Sequence, residues 1–439
     1  MEDSARMPCY ESTRGGAPRV DFASALCTGL APDGGLYVPD QIPLLGESAW
    51  RAANSFSKMA FEVLAPWLEK SVPAGALRAA LTDTLNFPVP LIQLEGGEWE
   101  KVHVLELFHG PTLSFKDFGT RVMARLLSEI LGGEQLTILV ATSGDTGSAV
   151  ADGFADRHNL RVVLLYPYGQ VSPTQERQLI VQRPGVQAYA VRGTFDDCQR
   201  MVKRALRAED LKKRLAAANS INVGRLLPQM LYWIWAVVSG GFRNALFCVP
   251  SGNLGNLTAG LLAALAGLPV RRFIAAHNAN DGFSRFLAGE QSPFSDSVRT
   301  VSNAMDVGRP SNLERIRALV DPARMREWIV ARSVSDDATY ASMRRVYEAS
   351  GYVADPHTAV GLEAVRQYRR TTGDTGCAVV LATAHPAKFP EVVRRSIGFA
   401  PEAPRRLATV WERPTRSSFL GTSDRDLQAV LQAARHVHA

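Results

Sequence analysis

The sequence of 439 residues has few cysteines, few lysines and no long apolar run. Its five cysteines lie far apart and have no CxxC spacing, which argues against a disulfide framework and against a zinc site. The longest uncharged run, residues 226–242, is interrupted by Pro228 and Gln229, so we expect a buried core helix and no membrane span. No apolar segment follows the polar start, and we therefore expect a cytoplasmic protein without a signal peptide.

Charge is spread along the chain. The sequence has 49 Lys and Arg against 43 Asp and Glu, a net charge of +6, and only eight of the basic residues are lysines. The densest basic stretch, residues 203–214, includes Glu209 and Asp210 and is typical of a solvated helix face. No basic stripe with interleaved aromatics is present, so we expect no nucleic-acid partner, whereas a small anionic substrate suits this balance.

The chain changes character near residue 92. Residues 55–68 and 74–85 carry apolar residues at helical spacing, which predicts an N-terminal, mostly helical domain over residues 1–92. Beyond it, apolar runs alternate with amphipathic segments, and this predicts an α/β fold with parallel sheets. The predicted strands are 102–107, 137–142, 162–166, 186–191, 245–250, 272–276 and 378–383. We expect a catalytic core over residues 93–400 and a C-terminal extension, 401–439, made of a polar connection and one terminal helix.

Ligands of such folds bind beyond the carboxyl ends of the strands, so the loops there are the candidate sites. The first is the glycine-rich loop of residues 249–256, between a predicted strand and a helix. Glycines let several N–H groups turn toward one point, and the helix adds its positive end, which suits a phosphate. The loop matches neither GxGxxG nor GxxxxGK[ST], so nucleotide-binding motifs find no support.

The second candidate loop, residues 142–147, also leaves a strand and opens a helix, where hydroxyl and free N–H groups suit a carboxylate. Its GDTG string recurs at residues 373–376, before a predicted strand, where we expect a simple turn. The third candidate is Lys116, among small and apolar residues before an amphipathic helix. A lysine partly removed from water there has a depressed pKa and is suited to a Schiff base with an aldehyde cofactor; the alternative is a lysine whose ammonium reaches solvent.

A reactive lysine, a phosphate loop and a carboxylate loop are the parts that a pyridoxal phosphate enzyme acting on an amino acid requires. Eight motifs resemble the threonine synthase family in their order, and residues 10–15 and 33–37 are similar to that family's N-terminal domain. The motifs are residues 114–119, 143–147, 193–198, 219–222, 251–256, 304–306, 355–361 and 382–389. The resemblance covers about residues 10–399. It implies a fold-type II, tryptophan synthase β-like enzyme with pyridoxal 5′-phosphate and a mobile small subdomain at about 118–215.

The resemblance also implies roles for individual residues. Lys116 would hold the cofactor aldehyde, and Thr383 would face its pyridine nitrogen. The cofactor phosphate would be bound by Gly252, Asn253, Leu254, Gly255 and Asn256. The substrate would be bound by Ser114, Ser143, Gly144, Asp145, Thr146, Asn222 and Arg225. No cluster has metal-ligand spacing, so no metal is expected, and a monomer and a homodimer both stay open.

Several residues depart from the family pattern. Leu254 replaces a usual phenylalanine, and the aromatic pair at Tyr232 continues with Trp233 where the family has a second tyrosine. Residues 282–284 replace an apolar-Pro stretch. Asp145 stands where related enzymes often carry asparagine, and an acid beside a carboxylate is electrostatically unfavourable. We expect Asp145 to bond the cofactor or a loop amide.

The implied reaction converts O-phospho-L-homoserine and water into L-threonine and phosphate, with Lys116 as the base that removes the α-proton. Arg225 and Arg14 are candidates to hold the leaving phosphate. His109, His357 and His385 lie in matched motifs, and we expect at least two of them to be hydrogen-bonded core histidines. The alternatives are a phospholyase that releases 2-oxobutyrate, a γ- or β-replacement enzyme, and a catalytically silent binding protein.

Overall fold

The structure is a computed structural model that describes residues 8–68, 71–208 and 215–433. The strands are β1 Tyr10–Ser12, β2 Tyr37–Pro39, β3 Leu91–Gln93, β4 Val102–Glu106, β5 Leu136–Ala141, β6 Leu160–Pro167, β7 Val186–Val191, β8 Leu215–Ala217, β9 Ala245–Pro250, β10 Val270–His277, β11 Ile329–Ser333, β12 Ala378–Ala382 and β13 Ser418–Leu420. Parts of three predicted segments lie outside the described residues: 1–7 and 69–70 of the N-terminal domain, 209–214 of the basic helix face and 434–439 of the C-terminal extension.

The helices of the first half are α1 Phe22–Thr28, α2 Glu47–Arg51, α3 Phe56–Leu68, α4 Ala74–Thr84, α5 Lys116–Leu131, α6 Asp145–Phe154, α7 Pro173–Ile180, α8 Phe195–Arg207, α9 Val223–Leu226 and α10 Met230–Gly240. Those of the second half are α11 Gly255–Leu265, α12 Gly282–Leu287, α13 Leu313–Leu319, α14 Pro322–Trp328, α15 Asp336–Ser350, α16 Pro356–Thr372, α17 Pro390–Ile397, α18 Arg405–Glu412 and α19 Asp424–Ala433. All seven predicted strands are present within two residues at each end, so the α/β prediction is confirmed.

The larger sheet has six strands in the order β11-β10-β9-β12-β4-β3. All neighbours are parallel except β3, which is antiparallel to β4. Strands β9 and β12 are buried along their whole length, because helices cover both faces of the sheet, as their unbroken apolar sequences indicate. The carboxyl ends of β4, β9 and β12 therefore open on one edge of a rigid core.

A second sheet of five parallel strands has the order β13-β7-β6-β5-β8. Four of its strands come from the region of about 118–215, which we predicted as a mobile subdomain; the mobility and the domain division stay predictions. The fifth strand, β13, comes from the C-terminal extension. Its pairing with β7 means that the extension completes this sheet.

The prediction of a single terminal helix in the extension is wrong, because α18 and β13 precede α19. Both elements bury few side chains: Leu407 and Val410 in α18, and Leu420 in β13. The apolar pattern is thus too sparse to identify them. The end of α18 and the residue that follows it are held instead by Arg177 of α7, whose Nη2 donates to the carbonyls of Trp411 at 2.7 Å and Arg413 at 2.9 Å.

The N-terminal domain is mostly helical, as expected, and the antiparallel pair β1–β2 completes it. It is joined to the core by the fully buried Arg315 of α13, which donates to the carbonyls of Tyr37 at 3.0 Å and Ile221 at 2.8 Å. The predicted core helix of residues 226–242 contains the buried helix α10. Within the described ranges, no helix has the length and apolar character needed to cross a bilayer.

Candidate active site

The candidate loops meet in one cavity at the carboxyl ends of the strands. The cavity is lined by residues that follow β4, β5, β9 and β12, among them Lys116, Ser143, Gly252 and Thr383. The parallel strands β4, β9 and β12 end on the same edge of the larger sheet, and the loop after β5 of the second sheet lines the same cavity. The structure thus brings together the lysine and the two loops that the sequence suggests as anion sites.

Lys116 is positioned by a loop that is fixed at both ends. The carboxylate of Asp117 accepts hydrogen bonds from the N–H and the hydroxyl of Thr112, at 2.9 Å and 2.6 Å. The N–H of Phe115 donates to the carbonyl of Thr383 at 2.9 Å, which attaches the loop to the end of β12. Since Lys116 is the first residue of α5, its side chain leaves this fixed loop toward the cavity.

The environment of Lys116 favours a neutral amine. Burial lowers its pKa from 10.5 to about 8; the carboxylate of Asp145 opposes this effect, while the positive charges of Lys388 and Arg225 add to it. The Lys116 Nζ atom lies 3.8 Å from Asp145 Oδ2 and 4.7 Å from the centre of the Phe115 ring. An amine with this pKa has an appreciable unprotonated fraction near neutral pH and is able to act as nucleophile and base.

The loop that follows β9 presents backbone N–H groups at the start of α11. Leu254 adopts a left-handed conformation with φ of 60°, which turns the chain into the helix. A Cβ atom on Gly252 would lie 2.9 Å from Met305 Cα, so only glycine allows this close approach. The side chain of Asn253 stabilises the turn by accepting from the Ser311 N–H at 2.6 Å. The result is a site for an anion such as phosphate.

Asn256 adds a side-chain donor to this loop. Its Oδ1 accepts hydrogen bonds from the Tyr232 hydroxyl at 2.8 Å and from the indole Nε1 of Trp233 at 3.2 Å. An indole N–H only donates, so the amide orientation is fixed and Nδ2 stays buried without a partner among the described residues. Trp233, where the family pattern has a second tyrosine, therefore contributes a hydrogen bond to Asn256.

The loop that follows β5 is organised by the hydroxyl of Thr142, which accepts from the N–H groups of Gly144 at 3.1 Å and Gly147 at 2.8 Å. Gly144 has φ of 147°, and a Cβ atom there would lie 2.8 Å from the Gln175 amide. Ser143, Asp145 and Thr146 line the cavity, whereas Gly144 shapes the turn. The second GDTG string, at residues 373–376, is a turn after α16, as expected.

The negative charge of Asp145 is paired within the protein, so Asp145 does not present an unpaired charge to a substrate carboxylate. Its Oδ1 lies 2.6 Å from Lys388 Nζ and accepts from Gln175 Nε2 at 3.0 Å. Burial alone would raise its pKa, but Lys388 and Lys116 hold the pKa far below the ordinary range, so the group is a carboxylate. Instead of a loop amide, the partners of Asp145 are two lysines and a glutamine side chain.

Arg225 and Asn222 have different surroundings although both lie in or next to α9. Arg225 is buried and lines the cavity; its Nη1 donates to the carbonyl of Ala218, and its Nε has no partner within the described residues. Burial lowers its pKa to about 10, so it stays a cation. The amide of Asn222 bonds Leu26, Ala217 and Gly224, so it caps α9, and it is not part of the cavity wall; its substrate contact stays a prediction.

The remaining candidates, Ser114, Arg14 and Thr383, also differ in their position relative to the cavity. Ser114 is fully buried beside the end of β12, with no partner for its hydroxyl among the described residues. Arg14 forms an ion pair with Glu314 at 3.0 Å and is not part of the cavity wall, which argues against a phosphate contact. Thr383 is buried and lines the cavity.

The three histidines are held by internal hydrogen bonds. His357 lines the cavity, but its Nε2 accepts from the Ala304 N–H at 3.1 Å and its Nδ1 lies 2.7 Å from Asp355. His109 contacts Glu106 at 2.7 Å, and His385 accepts from the Ala387 N–H at 3.1 Å. His357 and His385 thereby hold backbone segments next to the site. In the described part of the chain, no group of three or more His, Cys, Asp and Glu residues could hold a metal ion.

Family models match nearly the whole chain. A model described as threonine synthase N terminus matches residues 9–85, one described as pyridoxal-phosphate dependent enzyme matches residues 83–384, and one described as threonine synthase, C-terminal, matches residues 358–433. The chain is 42% identical over 424 residues to the threonine synthase of Serratia marcescens, which covers 94% of this chain and 96% of the relative. The chain belongs to the threonine synthase family.

Solved structures of the threonine synthase family have the same fold. The crystal structure of the Escherichia coli threonine synthase matches with a TM-score of 0.89 and 38% identity, covering 97% of this chain and 99% of that one. The pyridoxal phosphate-bound threonine synthase from Brucella melitensis matches with a TM-score of 0.88 and 35% identity, covering 98% and 99%. The expected resemblance to threonine synthases and the fold-type II architecture are therefore confirmed.

Threonine synthases are pyridoxal phosphate enzymes, and the cavity fits this cofactor. The free N–H groups at the start of α11 and the unpartnered Nδ2 of Asn256 suit its phosphate, and Lys116 is the amine that faces the same cavity. Thr383 offers a neutral hydroxyl at the end of β12. A buried donor without a partner costs about 1–3 kcal/mol, so these orphaned groups indicate a ligand that accepts hydrogen bonds.

Sequence patterns did not identify Lys388 or Gln175 as part of the site. Lys388 lies in the matched motif 382–389, but a lysine in a motif gives no sign of its partner. Gln175 comes from α7, which packs beside α6 on the five-stranded sheet, and donates to Asp145 at the start of α6. The available signal was electrostatic: an acid beside the cavity requires a buried cation to balance its charge.

Proposed function

We propose that this chain converts O-phospho-L-homoserine and water into L-threonine and phosphate. The proposal rests on one observation: a half-buried lysine of lowered pKa, two anion-binding loops and a buried arginine line the same cavity. The substrate carries an amine, a carboxylate and a phosphate. The carboxylate and the phosphate therefore each have a complementary partner in the cavity in addition to the site for the cofactor phosphate.

The two loops are proposed to bind the cofactor by its phosphate and the substrate by its carboxylate. The N–H groups and the Asn256 amide at the start of α11 bind the cofactor phosphate, and Ser143 and Thr146 at the start of α6 bind the substrate carboxylate. When bound, pyridoxal phosphate supplies an electron-withdrawing ring that stabilises negative charge next to the amino-acid nitrogen. The loops orient the substrate so that its α-proton faces Lys116.

Lys116 is proposed to act as the base. Its unprotonated amine accepts the α-proton at Nζ, and the resulting ammonium donates a proton later in the reaction. The pKa of about 8 places both protonation states within reach near neutral pH. Arg225, a buried cation with an unpartnered Nε, stabilises the negative charge that develops on the phosphate as its bond to the γ-carbon breaks.

A product assay in H₂¹⁸O tests this proposal. The purified protein, saturated with pyridoxal phosphate, is incubated with O-phospho-L-homoserine, and the organic product is identified by NMR and mass spectrometry. We expect threonine and phosphate in equal amounts, with ¹⁸O in the β-hydroxyl, because water supplies that oxygen. Release of 2-oxobutyrate and ammonia without threonine would assign a phospholyase instead.

The partners, the oligomeric state and the location of the protein stay predictions. A small anionic amino acid is the proposed partner, and neither nucleic acid nor membrane is proposed as one. The oligomeric state is expected to be a monomer or a homodimer, and the location the cytoplasm. Light scattering of the purified protein would test the expected oligomeric state.

A further inference from the structure

A second lysine lies behind the proposed catalytic one. Among the lysines that the structure describes, Lys388 is the one with a fully covered side chain. It ends the short turn Pro386–Lys388 after β12. Its ammonium lies 2.6 Å from Asp145 Oδ1 and donates to the carbonyl of Thr112 at 3.0 Å. A buried ammonium ion is costly unless it is paired, and here the pairing partner is an acid that also faces Lys116.

The two carboxylate oxygens of Asp145 lie near different lysines, at unequal distances. Its Oδ1 has the direct contact with Lys388 and a hydrogen bond from Gln175. Its Oδ2 lies 3.8 Å from Lys116 Nζ, which is longer than a hydrogen bond. Lys388 therefore has the direct contact with this carboxylate, and Lys116 has the longer one.

We propose that Lys388 is a positioning residue that acts through Asp145: by occupying this carboxylate, it prevents Asp145 from holding Lys116 as an ammonium ion. The proposal rests on the proposed function of Lys116 as amine and base. Without Lys388, Asp145 would be a buried carboxylate whose nearest cation is Lys116, and the two would form a stable ion pair. Lys116 would then need a higher pH to lose its proton.

The remaining charges around Lys116 do not replace this effect. Arg225 repels the Lys116 ammonium and Asp117 attracts it. However, Arg225 bonds the carbonyl of Ala218, and Asp117 is bonded twice by Thr112, so both have partners other than Lys388. Lys388 also lowers the pKa of Asp117, so its loss would make Asp117 a weaker attractor of the Lys116 ammonium. His357 and Arg309 also line the cavity, but His357 is committed to Ala304 and Asp355. The protonation of the Lys116 amine thus depends on the Asp145–Lys388 pair.

The variants Lys388→Met and Lys388→Gln test the proposal. Each removes the positive charge, and glutamine keeps a donor for the Thr112 carbonyl. One charge at this range changes a pKa by about one unit or more, so we expect the Lys116 midpoint to rise by about one pH unit. At a fixed pH below the midpoint, the neutral fraction of Lys116 then falls about tenfold. The alkaline rise of the turnover rate should move to higher pH by the same amount.

The readout is chemical labelling of Lys116 and needs no turnover. The full chain, freed of cofactor with hydroxylamine, is labelled with trace acetic anhydride across a pH series, and the Lys116 peptide is quantified by mass spectrometry. The wild-type midpoint is expected near the pKa of about 8. Because this midpoint is independent of the product formed, failure of the product assay and failure of the Lys388 proposal are separate results.

Two further variants complete the design. The double variant Asp145→Asn with Lys388→Met removes a neutral pair, so its midpoint should return to within a few tenths of a unit of wild type. Glu363→Gln removes a buried charge that pairs with Arg366 at 2.9 Å outside the cavity, and should leave the midpoint unchanged. A wild-type midpoint in both Lys388 variants, or a shift that the double variant does not reverse, would overturn the proposal.

Discussion

Replacing Lys116 by alanine is expected to reduce turnover of O-phospho-L-homoserine by roughly 10³-fold or more, because one residue supplies both the amine for the cofactor and the base. The change should leave the fold intact. The loop before α5 is fixed by Asp117 and Thr112 and by the bond from the Phe115 N–H to Thr383, none of which involves the lysine side chain. Phosphate release is the measurement, with thermal unfolding as a check on the fold.

The matched control is Lys58→Ala, which removes an exposed lysine of α3. It should turn over substrate at the wild-type rate. An unchanged rate for Lys116→Ala would contradict the catalytic assignment of Lys116. Absence of turnover in the wild type would favour the catalytically silent binding protein that the sequence left open.

Replacing Gly252 by valine is expected to weaken the affinity for pyridoxal phosphate by roughly 100-fold, equivalent to about 2.7 kcal/mol. A Cβ atom there would lie 2.9 Å from Met305 Cα and 3.2 Å from the Met305 carbonyl, both backbone atoms that cannot move independently. The loop must therefore shift, and its N–H groups lose their common direction. Titration of the cofactor-free protein with pyridoxal phosphate, followed by absorbance, measures the affinity.

Gly133→Val provides the comparison, since a Cβ atom at Gly133 meets nothing within 4 Å. Its affinity for the cofactor should equal that of the wild type. If Gly252→Val also bound pyridoxal phosphate normally, the start of α11 would not be the phosphate site.

The parts of the site that the sequence predicted have strong local signals. Lys116 stands out by its rarity and its place before an amphipathic helix, and the 252–256 loop by glycines between a strand and a helix. Turns and helix starts of this kind are determined by nearby residues, so their positions follow from short segments. The same is true of the strands β9 and β12, whose apolar runs reach the cavity without interruption.

The parts that the sequence missed depend on contacts between distant segments. The pairing of Asp145 with Lys388 joins residues that are more than two hundred positions apart, and the role of Asn222 is decided by the carbonyl of Leu26 in α1. Strand β13 forms because β7 offers an edge, since its own three residues bury only Leu420. Pairings of this kind are set by the tertiary fold and leave no local pattern.

The central claim is that Lys116, and no other lysine, carries the cofactor. Borohydride reduction of the protein saturated with pyridoxal phosphate, followed by digestion and mass spectrometry, tests it directly, because reduction turns a lysine–aldehyde link into a stable amine. The predicted result is one pyridoxyl group on the peptide that contains Lys116. A pyridoxyl group on the Lys388 peptide instead, or no adduct at all, would contradict the account.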